Sequence, residues 1–277
     1  MGLDIYAGTL TRYYSGNWKT QAQQFAEANG MGFSVTRPND ENEETEDEEI
    51  TPEEVCQIVS QWRDQVVAVI EKNSQKPKSF FDRLKKNTAS LSVWEENNEK
   101  DYYTDKPDWD GYGALLLVAA ARIYNEEIPE PFPEEWSSHP LIERAMGDNN
   151  TVNWSLLHEI SMWLPYETEI ILDGMSPNDN QISISTAGNL LNELNKINEM
   201  CWKADEETIL NWRKTEGPGS KGAAINLADL KNLTVEKLSM LSKAKPNIES
   251  EAKLAFSIFY RAAKYSLENK VPILLDY

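Results

Sequence analysis

Residues 111–127, GYGALLLVAAARIYNEE, are apolar on nearly every side of a helix. Such a helix has no face to offer water, so other elements must enclose it. It ends before IPEPFPEEW (128–136), where three prolines in five residues forbid further helix. That punctuation also marks 129–133 as the place where the chain would subdivide. With 277 residues one large enclosed domain is permitted, and a single compact domain over 1–277 is the expectation.

Around this central helix the strand signals come early and in the middle. LDIYAGTLT (3–11) is rich in β-formers, GFSVT (32–36) and ASLSVW (89–94) alternate, and TEIILD (168–173) and QISIST (181–186) flank a turn-rich GMSPNDN. NWKTQAQQFAEANG (17–30) reads as a helix closed by Gly30. Thr51, Pro52 and Glu54 form a capping box ahead of Val55, Ile58, Val59, Trp62, Val66 and Val69/Ile70, a helix running to about Lys72. TVNWSLLHEISMWLP (151–165) predicts another, stopped by Pro165. Segments near 187–202, 205–214, 234–244 and 248–269 are helical, and VPILLDY adds a short strand or plugs a groove. The expected class is α+β with helical excess: short N-terminal and central strands packed with a mainly helical C-terminal half.

Charge sets the function classes. The chain carries 46 acidic and 27 basic residues, a net of −19. DENEETEDEE (40–49) supplies eight of those acids, and its removal still leaves 38 against 27, a net of −11. Clustered Lys and Arg are what nucleic acid and anionic membrane demand, so direct contact with either is disfavoured. A basic protein partner suits the field, which would speed encounter. The opening MGLDIYAGTL lacks a signal-peptide pattern, and ALLLVAAA (114–121) is too short to cross a bilayer. Cys56 and Cys201 read as buried free thiols, favouring a reducing compartment. The expectation is a cytoplasmic protein.

The familiar chemical motifs fail one by one. His139 and His158 are the only histidines, and HEISM places Met162 where a zinc motif needs its second histidine, so no metal is expected. DKPDWDGYG (105–113) begins like a calcium loop but puts Lys106 first and Leu117 twelfth. Gly217 and Gly222 have P-loop spacing, yet Ala223 and Ala224 replace the lysine and hydroxyl. No Gly-x-Ser-x-Gly elbow occurs, and Cys56 lies within a helical pattern. No cofactor is implied, and the balance leans away from an enzyme. Asp108 and Asp110 act either as caps of the central helix or as a carboxylate pair at a pocket mouth.

RYYSGNW (12–18) leaves two readings open. Arg12, Tyr13, Tyr14 and Trp18 form a recognition surface, or Trp18 staples the next helix with Asn17 as its cap.

The opening MGLDIYAGTLTRYY resembles those of uncharacterised stand-alone bacterial proteins that begin Met-Gly-Leu-Asp, apolar, Tyr. The whole profile (acidic, single-domain, without a catalytic motif) is similar in type to polymorphic-toxin immunity proteins. That likeness implies a protein that covers a cognate toxin, and it transfers no individual residue. The expected function is therefore an acidic protein-binding module, an immunity protein neutralising a basic toxin domain. Its candidate partner-binding residues are Arg12, Tyr13, Tyr14 and Trp18 with Asp40, Glu41, Glu43, Glu44, Glu46, Asp47, Glu48 and Glu49. The alternative is a hydrolase of carbohydrates or other small molecules using Asp108 and Asp110.

Overall fold

The computed structural model describes residues 2–31, 50–74, 93–151, 154–158, 160–217 and 247–277. Six strands form one mixed sheet in the order β2-β1-β6-β3-β5-β4. They are β1 (Asp4–Ala7), β2 (Tyr103–Asp105), β3 (Met162–Leu164), β4 (Leu172–Met175), β5 (Gln181–Thr186) and β6 (Ile273–Asp276). All neighbours are antiparallel except β3 and β5. Strands from both sides of 129–133 thus share one sheet, and β6 sits at its centre between β1 and β3.

Alternation along each strand sends side chains to two cores. Ile5, Ala7, Trp163, Ile273 and Leu275 enter the larger one. It is filled by α4 (Trp109–Tyr124), α5 (Pro140–Gly147), α6 (Ala187–Cys201), α7 (Glu206–Thr215) and α8 (Ile248–Asn269). Every residue of α4 from Gly111 to Ala121 is buried, as an all-apolar circumference requires. Tyr6, Met162, Leu164, Ile184 and Leu274 face the other way. There α1 (Leu10–Tyr14) and α3 (Pro52–Ser74) close the opposite face, leaving α2 (Gln21–Ala28) at its margin. This is α+β with helical excess.

The caps follow the residues. Thr51 and Glu54 exchange the two bonds of a capping box at 2.9 and 3.3 Å before α3. Thr20 and Gln23 do the same for α2, so the cap there is Thr20 and not Asn17. Gly30 follows α2 with φ +64°, a conformation that suits glycine.

Three expectations need correction. The β-former run 3–11 breaks at Gly8, and Thr9 caps α1. The described residues of 151–165 form no α-helix: Ser155–Leu157 make a 3-10 turn and Met162–Leu164 are β3. Val93 and Trp94 lie outside any strand. The readings of 32–36, 40–49 and 234–244 fall outside the described residues, as do Asn73 to Ser92 in their side chains. Asp40, Glu41, Glu43, Glu44, Glu46, Asp47, Glu48 and Glu49 are among them.

Candidate functional site

Three buried carboxylates organise the loops around the sheet. Glu96 accepts the Leu10 and Thr11 amides at 3.3 and 2.8 Å, the Thr11 hydroxyl at 3.0 Å and the Trp94 indole at 2.7 Å. Those amides are the unpaired donors that open a helix, so Glu96 fixes α1 and the tyrosines at its end. Glu193 holds the 3-10 turn at 155–157 in the same manner. Asp105 takes Arg213 in a bidentate pair at 2.7 and 2.8 Å, tying β2 to α7. These acids are occupied by structure.

A different set of acids collects at one end of the sheet, where β1 begins and β6 finishes. Asp4 and Asp276 are directly opposed in the antiparallel register. Asp108 and Asp110 stand exposed at the start of α4. Glu251, in the first turn of α8, lies beside them, since Gly111 of α4 packs against Ala255 and the Glu251 carbonyl. Lys106 is the cation among them, 3.6 Å from Asp108. The expected cap of α4 does not form. Asp108 occupies the cap position with φ 54° and makes no side-chain cap bond, because that turn directs it to Lys106.

Glu251 is 4% exposed, and its Oε2 is buried without a hydrogen-bond partner. Burial, followed by the charges of Asp110 and Asp108, pushes its carboxyl up to about 7. Burial also raises Asp4, with Asp276, Asp108 and Asp105 adding to it and Lys106 opposing. Glu193 is likewise pushed up to about 7 by burial, against the bonds it accepts and the charge of Lys196.

These shifts fix the sign of a pH effect. Between about 4.5 and 7 the folded protein holds protons on Glu193 and Glu251 that the unfolded chain has released. Stability from these groups is complete below that window and is lost as pH rises through it. Thermal unfolding is expected at a higher midpoint near pH 5 than near pH 8, and Glu251→Gln removes its share of the difference. The exposed Glu54 and Asp205 and the partly exposed Asp148 are lowered by hydrogen bonds, so their contribution fades only in more acid solution. A midpoint that rises steadily from pH 5 to pH 8 would contradict the assignment.

The RYYSGNW segment joins this end of the molecule. Tyr13 stacks on Trp18 at 5.5 Å and 20°, and both rings pack on Tyr6 at 5.4 and 4.9 Å. Arg12 is spent internally: it lies 4.9 Å over the Tyr102 ring and bonds the carbonyls of Asn17 and Lys100 at 2.8 and 2.6 Å. Tyr13 donates to Asp276 at 2.6 Å. Tyr14 reaches the Ser176 side chain. Beneath the two tyrosines is a cavity of about 230 Å³ between the end of β6, the start of β3 and the 176–180 turn. Beyond it, Tyr277 packs edge-on to Trp109 at 5.4 Å, linking the cavity rim to α4.

The structure therefore brings Tyr13 and Tyr14 to a cavity, places Trp18 behind them, and sets Asp108 and Asp110 on the same end of the sheet. Asp4, Asp276 and Glu251 were missed. The only trace in the sequence is an acid at the edge of each apolar strand run, Asp4 before IYA and Asp276 after ILL. Nothing in the sequence pairs the two strands.

Among the described residues no group of three or more His, Cys, Asp or Glu is placed to hold a metal ion, and no helix is long and apolar enough to cross a membrane. Cys56 and Cys201 are free and half-buried, and burial pushes the Cys201 thiol up to about 11, which keeps it protonated and unreactive. His158 follows the 3-10 turn with Nε2 buried and unbonded, apart from the acids above. Compared with protein-family models, curated proteins and solved structures, the chain matches none.

Proposed function

We propose that this protein is a cytoplasmic binding module for a basic protein, of the immunity type that neutralises a bacterial toxin. One observation carries it: Asp108 and Asp110 are exposed beside Asp4, Asp276 and Glu251 at a single end of the sheet, next to an aromatic rim. A cluster of like charge costs the fold stability, and a cationic partner relieves that repulsion on docking. Such a surface steers encounter and rejects acidic competitors. Tyr13, Tyr14 and Tyr277 supply ring area of the kind that anchors interfaces.

The test is a partner captured from the native host and then titrated in purified form. Asp108→Asn with Asp110→Asn is expected to slow association about tenfold and to flatten its salt dependence. Glu126→Gln with Glu143→Gln, on another part of the surface, serves as control. Equal effects from the two pairs would reject this face.

A second reading is carboxylate-dependent hydrolysis. It is favoured by Glu251, a buried acid raised to about 7 next to two exposed aspartates, the asymmetry that acid and base roles need. Loss of turnover in Glu251→Gln, on any glycoside that the wild type cleaves, would promote it over binding.

A further inference from the structure

We infer that the cavity beneath Tyr13 and Tyr14 takes a cationic group, an alkylammonium or guanidinium, on the carboxylate of Asp276. Among the described residues that line it, Asp276 is the one side-chain carboxylate, and there is no Lys, Arg or His. The remaining polar wall includes Tyr13, Tyr14, Ser176, Asn178 and Asn180, with Ser161 and Tyr277 beside them. An anion entering here would meet a negative charge with no compensating cation. An ammonium carries donors and no acceptor, which matches a carboxylate, amide oxygens and hydroxyls.

Asp276 is half committed. Its Oδ1 accepts the Tyr13 hydroxyl at 2.6 Å, and its second oxygen has no hydrogen-bond partner among the described residues. Asp4 stands across from it in the β1–β6 register, with Oδ1 buried and unpaired. Lys106 answers Asp4 and Asp108 from the far side and does not line the cavity. Asp4 does not line the cavity, so the charge that faces it is that of Asp276.

Size narrows the ligand. At about 230 Å³ the cavity is below the roughly 300–1,000 Å³ typical of small-molecule sites. It suits one side chain or one short amine, not an oligosaccharide or a nucleotide. Two sources share this chemistry: a Lys or Arg side chain of a protein partner, or a free amine. In the first case the inference deepens the proposed function and rests on it; the cation site itself does not.

The experiment is an NMR titration of the full chain with n-butylammonium chloride, matched against n-butanol. Saturable shifts at Tyr13, Tyr14, Asn178 and Asn180 are expected, at least about tenfold tighter for the ammonium. Asp276→Asn keeps an acceptor for Tyr13 and removes the charge, so its ammonium affinity is expected to fall about tenfold or more. Asn178→Asp adds a second charge and is expected to strengthen binding, which keeps the test decisive if the first variant folds poorly. Butanol binding as well as butylammonium, or no saturation at all, overturns the inference even if a partner protein is found. Nα-acetyl-lysine amide binding, with partner affinity reduced in Asp276→Asn, supports the side-chain source. Spermidine binding with the lysine amide excluded supports the free amine and overturns the side-chain source.

Discussion

Glu193→Ala is expected to destabilise the protein by about 3–5 kcal/mol near neutral pH, because it strands several buried donors at once. Glu193 is 1% exposed. It accepts the Ser155 amide at 2.5 Å, the Ser155 hydroxyl at 3.0 Å and the Leu156 amide at 3.2 Å. The same Ser155 hydroxyl accepts the indole of Trp163 at 2.8 Å. Trp163 is fully buried on β3, so the network couples α6 to the sheet. Each buried donor left without a partner costs about 1–3 kcal/mol, and truncation adds a void. Relief of the buried acid offsets part of this, since burial already disfavours its charge. Glu193→Gln keeps one acceptor oxygen and is expected to lose about 1–2 kcal/mol. Denaturant unfolding measures both, and the alanine variant also loses the Glu193 share of the pH dependence. A loss under about 1 kcal/mol for alanine would show that the turn at 155–157 finds other acceptors.

Gly188→Ala is expected to cost about 3 kcal/mol or more, at a position where alanine ordinarily favours a helix. Gly188 is the second residue of α6, and its amide donates to the Tyr166 carbonyl at 2.9 Å. A β-carbon there would stand 2.5 Å from both Cα and the carbonyl carbon of Glu167. Those are backbone atoms with little room to retreat. Thr186 bonds the Thr168 carbonyl on one side, and the Tyr166 ring packs on Trp94 at 5.8 Å on the other. Gly147→Ala is the matched control, because its β-carbon meets nothing within 4 Å. It is expected to change stability by no more than about 1 kcal/mol, in the stabilising direction. Thermal melts of the two variants side by side check the contrast. Equal midpoints would mean that the 166–168 segment gives way.

Local chemistry explains which elements were legible. The α4 apolar run, the Thr51–Glu54 capping box, the stripe along α8 and the strand at 181–186 all carry their signals within a few residues, whereas the strand expected at 168–173 forms at 172–175, where pairing with β5 places it. The 151–165 segment misled because Trp154, Leu156, Leu157, Met162, Trp163 and Leu164 are apolar without a clean period. A short apolar run buried on both faces looks alike as helix or strand, and here pairing with β5 and β6 decided for strand. The same limit applied to the candidate site. Tyr13 and Tyr14 stand out as neighbours in the chain, whereas Asp276, the partner of Tyr13, lies 263 positions away.

The sequence alone determined that this protein folds around an enclosed helix, carries a large negative charge and lacks the familiar catalytic motifs. Those properties are sums or short-range patterns, so each residue contributes wherever the chain places it. Tertiary structure alone decided which carboxylates are internal struts and which converge at the open end of the sheet. Asp105 and Asp276 look alike in sequence, each closing an apolar or aromatic strand. One is neutralised by Arg213 from α7, while the other is left with a free oxygen over a cavity. That difference is set by neighbours brought together across the sheet, and strand order is a long-range property that no local pattern encodes.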